Sequence, residues 1–391
     1  MSGSLLAGLA CARCGKPYDA DVLQGRCADD GATLLPQYDL SPGAVDRDAV
    51  AARPADLWRW TELLPLRHPG PPALSLGEAA TPLVTLRRTS ERLGVEVLLK
   101  DESPLPGTTF KARGAAVALA RAIELGIPGV VLPTAGNAGG TWALYAARAG
   151  VPAAVVMAES APLVNQAEVL TAGAELHLVP GTLAEAGARA RELAAERGWF
   201  LAATFGEPYR VDGKKTAWLE VFHDLGWRWP GTVVFPVGGG VGLVAASEAV
   251  EQAQALGWAG DGPRLVAVQS EDCAPLVRAW DAGGSEVARW EGVPRTVAAG
   301  LRVTAPSEGW LVLERVRRSG GTVLGASEGD VLDAVSRLAR EEGVYASPEG
   351  AATLVAAERL AARGELEEPV VLYQTASAAK YPEALRPVPA R

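Results

Sequence analysis

The feature that most constrains this chain is an alternation that starts near residue 95 and runs to residue 374. Continuous apolar runs at 95–99, 129–133, 153–157, 175–179, 232–237, 264–269 and 369–374 read as strands buried on both faces. Between them lie alanine-rich stretches at 112–125, 138–149, 163–172, 183–197, 243–256 and 329–342, which read as helices. Thr182-Leu-Ala-Glu185 has the spacing of a capping box and marks one helix start. Buried strands alternating with helices predict parallel sheets covered on both faces. A single sheet of this length is unusual, so two doubly wound α/β units are expected. No internal repeat of short period is visible.

Composition narrows the function classes. With 391 residues, 48% of them hydrophobic and 21% charged, the chain can build large cores. The net charge of −9 is spread without a basic block, which argues against a nucleic-acid partner. No run of eighteen apolar residues occurs, and no basic stretch precedes the short apolar run near the N-terminus. Neither a membrane partner nor a secretory signal is therefore expected. Four cysteines do not make a disulfide framework in a chain of this length, which points to a reducing cytoplasm. Only His68, His177 and His223 are present, so a catalytic metal centre built on several histidines is hard to assemble.

Residues 1–40 stand apart. Cys11-Ala-Arg-Cys14 and Cys27-Ala-Asp-Asp30-Gly, with turn residues between them, predict a small zinc-ribbon-like extension. Cys11, Cys14 and Cys27 have zinc-knuckle spacing, while Asp30 occupies the expected fourth thiolate position. Zinc accepts carboxylates, although structural sites mostly use cysteine and histidine. A ribbon without metal is the other reading. Cys273 reads as a small core residue. A connector with Pro65, Pro69, Pro71 and Pro72 reads as a loop without a core of its own.

Three segments carry chemistry. In Lys100-Asp-Glu-Ser-Pro-Leu-Pro-Gly-Thr-Thr-Phe-Lys111-Ala-Arg, a lysine falls between a strand and a helix that Thr109 is placed to cap. The positive helix end and partial burial both disfavour its ammonium form, which suits a lysine that must attack a carbonyl. An ordinary lysine at a helix start remains the alternative. Strand 129–133 ends in Thr134-Ala-Gly-Asn137-Ala-Gly-Gly140, where Asn137 either caps the next helix or reaches the ring hydroxyl of a cofactor. Strand 232–237 ends in Gly238-Gly239-Gly240-Val241-Gly242, a loop able to turn several amides toward a phosphate at a helix N-terminus. It lacks the P-loop ending, and Leu243 stands where a dinucleotide fingerprint wants Gly or Ala. A phosphate site without a nucleotide, or a structural glycine turn, are the two readings.

In this order the lysine, the Gly-Asn turn and the glycine loop resemble fold-type II pyridoxal 5'-phosphate (PLP) enzymes, the tryptophan synthase β-like kind. Tyr373-Gln-Thr375-Ala-Ser377-Ala-Ala-Lys380-Tyr is similar to the C-terminal Thr-Gly-x-Gly-Leu-Lys segment of threonine synthases. Glu207-Pro-Tyr-Arg210-Val-Asp-Gly-Lys-Lys215-Thr resembles their Asn-Pro-x-Arg-x-Glu-Gly-x-Lys-Thr stretch, and the N-terminal cysteine pairs resemble the extension many of them carry. The likeness spans residues 11 to 381. It implies a ribbon at 1–40, a larger domain of 41–110 and 200–391 with the phosphate loop, and a smaller domain of 111–199, with the site in the cleft between domains.

Carried over, Lys111 is the Schiff-base lysine and Asn137 partners the ring hydroxyl. Gly238, Gly239, Gly240, Val241 and Gly242 hold the cofactor phosphate, and Thr375, with Ser377 as second choice, bonds the ring nitrogen. Thr134 and Arg210 face the substrate, Arg210 as a fork for a phosphate, although an ion-paired surface arginine is its plainer reading. The implied reaction is conversion of O-phospho-L-homoserine and water to L-threonine and phosphate by a small-molecule lyase, with a homodimer as the candidate assembly.

The departures concern the substrate. The family's Pro-Thr-Gly-Ser before the lysine is Pro106-Gly-Thr-Thr109 here, which keeps the hydroxyl nearest Lys111. Ala135 and Ala138 replace two hydroxyls that would cradle a substrate carboxylate. Thr204 and Phe205 replace an Asn-Ser pair expected on the substrate phosphate, and Ala376 and Ala378 replace two glycines. Serine or threonine dehydration and β-replacement on the same scaffold thus stay open. So does a non-catalytic protein that binds PLP or a phosphorylated metabolite.

Overall fold

The computed structural model describes residues 3–382 and Leu385. An antiparallel ribbon opens it: β1 (Leu6–Cys11), β2 (Pro17–Tyr18) and β3 (Leu34–Tyr38), in the order β2-β1-β3. The short helix α1 (Arg47–Ala51) and a 3-10 helix (Leu57–Leu63) follow, the latter burying Trp58 and Trp60. Then β4 (Leu83–Thr85), α2 (Arg87–Leu93) and β5 (Val97–Asp101) begin the large sheet.

Helix α3 (Lys111–Glu124) leads from there into a second sheet. Its strands are β6 (Val130–Thr134), β7 (Ala153–Ala158), β8 (Glu175–Val179) and β9 (Phe200–Leu201), all parallel, in the order β8-β7-β6-β9. Between them run α4 (Ala138–Ala149), α5 (Leu163–Thr171) and α6 (Leu183–Arg197). Helix α6 starts at the expected capping box of Thr182 and Glu185. Helix α7 (Arg210–Asp224) returns the chain to the large sheet.

That sheet is completed by β10 (Thr232–Pro236), β11 (Arg264–Ser270), β12 (Thr322–Ala326) and β13 (Val370–Gln374). Its order is β12-β11-β10-β13-β5-β4, parallel except for β4 against β5. The intervening helices are α8 (Val241–Ala255), α9 (Pro275–Asp281), α10 (Gly309–Arg318), α11 (Glu328–Arg337) and α12 (Pro348–Ala361). The fold is α/β, with two sheet-and-helix units and a small ribbon, as the alternation predicts.

Side-chain alternation along the large sheet divides its core. Val233, Phe235, Leu265 and Val371 point to one face and pack with Trp218, Leu219 and Phe222 of α7 and Val244 of α8. Val234, Val266, Leu324 and Leu372 point to the other and pack with Val331 of α11 and Leu354 of α12. Both faces being covered explains why these strands read as unbroken apolar runs. The ribbon is not a free appendage, because Leu6, Leu9 and Leu34 share a core with Trp58, Tyr209 and the alanines of α3.

In each sheet the strand order reverses at one place. From β10 the chain moves outward through β11 and β12, whereas β13 and β5 lie on its other side. From β6 it moves through β7 to β8, with β9 on the other side. Crevices at the carboxyl ends of strands beside such reversals are where open α/β sheets bind ligands.

Candidate active site

The loops after β5, β6, β10 and β13 all wall one cavity of about 250 Å³. Lys111, Thr134, Asn137, Gly238, Gly239, Gly240, Val241, Gly242, Arg210 and Thr375, the residues singled out for cofactor and substrate, all line it. Ser377 does not line it. Its hydroxyl instead accepts from the Ala379 amide and caps the short helix that follows.

Lys111 is the first residue of α3. Burial and the nearby Arg210 charge lower its amine from the usual 10.5 to about 8, with Glu349 pulling the other way. The turn before it is held in a sparsely populated conformation, since Thr108 has φ of 52°. Thr109 does not cap α3 as expected. It pairs as an extended residue with Ala376, donates its hydroxyl to the Thr375 carbonyl at 3.1 Å, and is reached by the Lys111 amide only at 3.5 Å. The turn is thereby tied to the end of β13, which fixes Lys111 relative to Thr375.

Asn137 occupies the cap position of α4 yet makes no capping bond. Its Nδ2 donates to the Tyr381 hydroxyl at 3.2 Å, and its buried Oδ1 has no partner among the described residues. A buried amide oxygen left unpaired is costly unless a ligand completes it. Val241 and Gly242 are the first residues of α8, where amides have no acceptor within the helix. Gly240 before them has φ of 88°, a conformation that favours glycine and turns the loop into the cavity. Thr375 Oγ1 lies 3.3 Å from Ser347 Oγ, the cap of α12. An amine of lowered pKa, an unpaired amide oxygen and free helix-end amides fit the aldehyde, ring hydroxyl and phosphate of PLP.

The cations on the remaining wall come from the start of α7. Arg210 is buried, and its Nε bonds Glu207, the residue standing where the resembled motif has Asn. Its Nη2 donates to the Ala202 carbonyl at 2.6 Å and its Nη1 lies 3.5 Å from Thr204 Oγ1. Phe205 is wholly buried with φ of 55°, so its ring joins the core behind the wall. One turn along α7, Lys214 also lines the cavity. Burial, then Lys111 and Arg210, push its amine well below the ordinary range. Helical periodicity separates the motif's two lysines. Lys215 pairs with Asp212 at 2.7 Å and lies over the Tyr38 ring, holding the ribbon, while Lys214 faces the cleft. Helices α3 and α7 approach closely because Gly213 has no Cβ, which would lie 2.1 Å from the Arg113 carbonyl oxygen.

Lys214, Glu349 and Tyr381 were missed as site residues from sequence. Glu349 follows Ser347-Pro348, a helix-start signal present in the sequence. Its Oε1 accepts from the Gly300 amide at 2.7 Å, and burial raises its carboxyl above the usual range. The ribbon cysteines gather with one another but outside this cavity.

Comparison with known proteins agrees with this geometry. Residues 74–375 match the family model described as pyridoxal-phosphate dependent enzyme. The chain is 30% identical over 382 residues to a threonine synthase of Methanosarcina acetivorans, covering 96% of this chain and 93% of that protein. It is 27% identical to a threonine synthase of Methanocaldococcus jannaschii, again covering 96% and 93%. Among solved structures, a threonine deaminase from T.th. superimposes with a TM-score of 0.63 at 30% identity, covering 76% of this chain and 92% of that one. Maize serine racemase, at 21% identity and a TM-score of 0.66 over 76% of this chain and 88% of that one, shares the fold.

Proposed function

Because the chain belongs to the pyridoxal-phosphate dependent enzymes, we propose that it is a threonine synthase-like lyase converting O-phospho-L-homoserine and water to L-threonine and phosphate. The observation that carries this reading is that Arg210 and Lys214 meet Lys111 in one cavity. The glycine loop serves the cofactor phosphate, so two further cations are left for an anion on the substrate. Near-full-length similarity to threonine synthases supports the same substrate.

Bound PLP supplies an aldehyde for Lys111 and an electron-withdrawing ring that acidifies hydrogens on the substrate carbon next to nitrogen. Lys111, neutral above about pH 8, takes the α-proton and moves a β-proton as general base and acid. Asn137 orients the ring through its hydroxyl, and the amides of Gly238–Gly242 hold the cofactor phosphate. Thr375 offers the ring nitrogen a neutral hydroxyl, which does not protonate it as a carboxylic acid would and so favours elimination over transamination. Arg210 and Lys214 hold the phosphate that leaves the γ-carbon while water adds at the β-carbon. Burial and the neighbouring Lys111 and Arg210 charges disfavour the ammonium form of Lys214 before substrate arrives. An incoming dianion offsets that burial and repulsion and favours the ammonium form.

A second reading is favoured by specific residues. Ala135 and Ala138 offer no hydroxyl to a substrate carboxylate, and Glu207 neutralises much of the Arg210 charge. Serine and threonine carry the same carboxylate, so only the second of these separates the substrates. A weakened phosphate site suits a dehydratase acting on serine or threonine, and the threonine deaminase likeness adds to it. The PLP-saturated protein should be offered O-phospho-L-homoserine, L-threonine and L-serine. Equimolar phosphate and threonine from the first is expected. Keto acid from the other two without phosphate release would overturn the proposal in favour of the dehydratase. Lys111→Ala should abolish turnover and retained turnover would refute its role, whereas no product from any of the three substrates with the unsubstituted protein would leave a binding protein only.

A further inference from the structure

The ribbon holds a second centre away from the cleft. Cys11, Cys14, Cys27 and Asp30 bring one ligand atom each within 4.8 Å of one another. We propose that these four residues bind a structural zinc ion, and that the ion braces the substrate wall of the cleft.

The spacings match tetrahedral coordination. Zinc–sulfur bonds of about 2.3 Å place two tetrahedral sulfurs about 3.8 Å apart, and a sulfur and a carboxylate oxygen about 3.6 Å apart. Cys14 Sγ and Cys27 Sγ are 3.7 Å apart, and Cys11 Sγ is 3.4 Å from Asp30 Oδ1. The two cysteines are far from the roughly 2.05 Å of a disulfide, and all four cysteines of the chain are free. Donors already point at the sulfurs, as thiolates require. The Arg13 and Cys14 amides reach Cys11 Sγ at 3.4 Å, and the Tyr18 hydroxyl reaches Cys27 Sγ at 3.2 Å. Asp29, next in sequence, is taken by Lys16 at 2.8 Å, which leaves Asp30 as the fourth ligand. Its other bond, from the Ala32 amide at 2.9 Å, orients the carboxylate.

The connection to the cleft runs through the two residues before Cys27. Gly25 lies against the backbone of Gly206, since a Cβ there would sit 2.9 Å from the Gly206 oxygen. Arg26 pairs at 2.8 Å with Glu308, a wholly buried carboxylate next to the wall residue Ser307. A metal that fixes Cys27 thus holds the segments bearing Thr204 and Arg210 on one side and Ser307 on the other.

The test is metal analysis of the PLP-loaded protein grown with zinc, together with its cobalt-substituted form. One zinc per chain and a thiolate-to-cobalt charge-transfer band are expected. Asp30→Ala should reduce the zinc retained after dialysis at least tenfold, and Cys14→Ser, at an exposed position, should remove it. Asp30→Cys should restore it, which excludes misfolding as the cause. Zinc no higher than in Cys14→Ser, or a Cys14–Cys27 disulfide in the native protein, would overturn the proposal. Metal content is read without turnover, so this outcome is independent of the reaction proposed above.

Discussion

Arg113 offers a measurable link between the core and Lys111, two residues before it on α3. Its guanidinium is wholly buried and donates to Glu102 at 2.6 and 2.9 Å, to Glu220 at 2.6 and 2.7 Å, to Thr216 at 3.0 Å and to Thr81 at 3.1 Å. Lys100 completes the cluster at 2.7 Å from Glu220. Two cations and two carboxylates therefore balance inside the protein, joining β5, α3 and α7. Burial alone would raise the Glu220 carboxyl, but Arg113 and Lys100 outweigh it and hold the group at about 2. Its contribution is present above the unfolded value near 4.5 and is lost as pH falls toward 2. Arg113→Met leaves two buried carboxylates facing one cation. Breaking a buried pair in this way costs about 3–5 kcal/mol, a fifth or more of a typical total of about 5–15 kcal/mol. Urea unfolding followed by tryptophan fluorescence measures the loss. Adding Glu102→Gln restores neutrality, so the double variant should recover over half of it. A loss below about 1 kcal/mol for Arg113→Met, the scale of an exposed pair, would refute the reasoning.

Further outcomes follow from the cleft. The rate at which cofactor-free protein takes up PLP should rise about tenfold per pH unit below 8 and level off above it, because Lys111 reacts only as the neutral amine; a rate still climbing at pH 10 would give that amine an ordinary pKa. The same group binds its proton more weakly folded than unfolded, so it adds stability as pH rises from about 8 to 10.5. Lys214→Met should raise KM for the phosphorylated substrate 10–100-fold, about 1.4–2.8 kcal/mol, with a smaller change in kcat; steady-state kinetics with phosphate detection reads both.

The sequence made some of this legible and hid the rest for physical reasons. Strands such as β10 and β13 show as apolar runs because helices cover both their faces, and the glycine loop, Asn137 and Lys111 each follow directly from a strand or helix boundary. Helix α7 did not read as a helix with a buried side. Asp212, Lys215 and Glu220 look like a solvated surface, yet their partners bury them, and Glu220 meets Arg113 across 107 residues of sequence. Helix α12 is buried nearly all round, so Ala351, Ala352 and Ala356 lack the polar face that marks a period of 3.6. The ribbon strands are too short for alternation to register, and only their cysteines signalled them. Lys214 and Lys215 cannot be ranked by type; which one meets the cleft depends on where α7 begins.

The order of the large sheet also governs how the protein can be made. Strand β13 comes last of the thirteen described strands but is inserted between β10 and β5. Until a ribosome has delivered residues 370–374, the nascent chain holds two separate fragments of sheet, β12-β11-β10 and β5-β4, with an open hydrogen-bonding edge on each. Thr375, Lys380 and Tyr381 arrive still later, and Lys380 then joins Glu168 of α5. The cavity is thus completed only after synthesis of the body of the chain, and a chain ending before residue 370 has unpaired sheet edges and lacks the Thr375 and Tyr381 walls of the cavity.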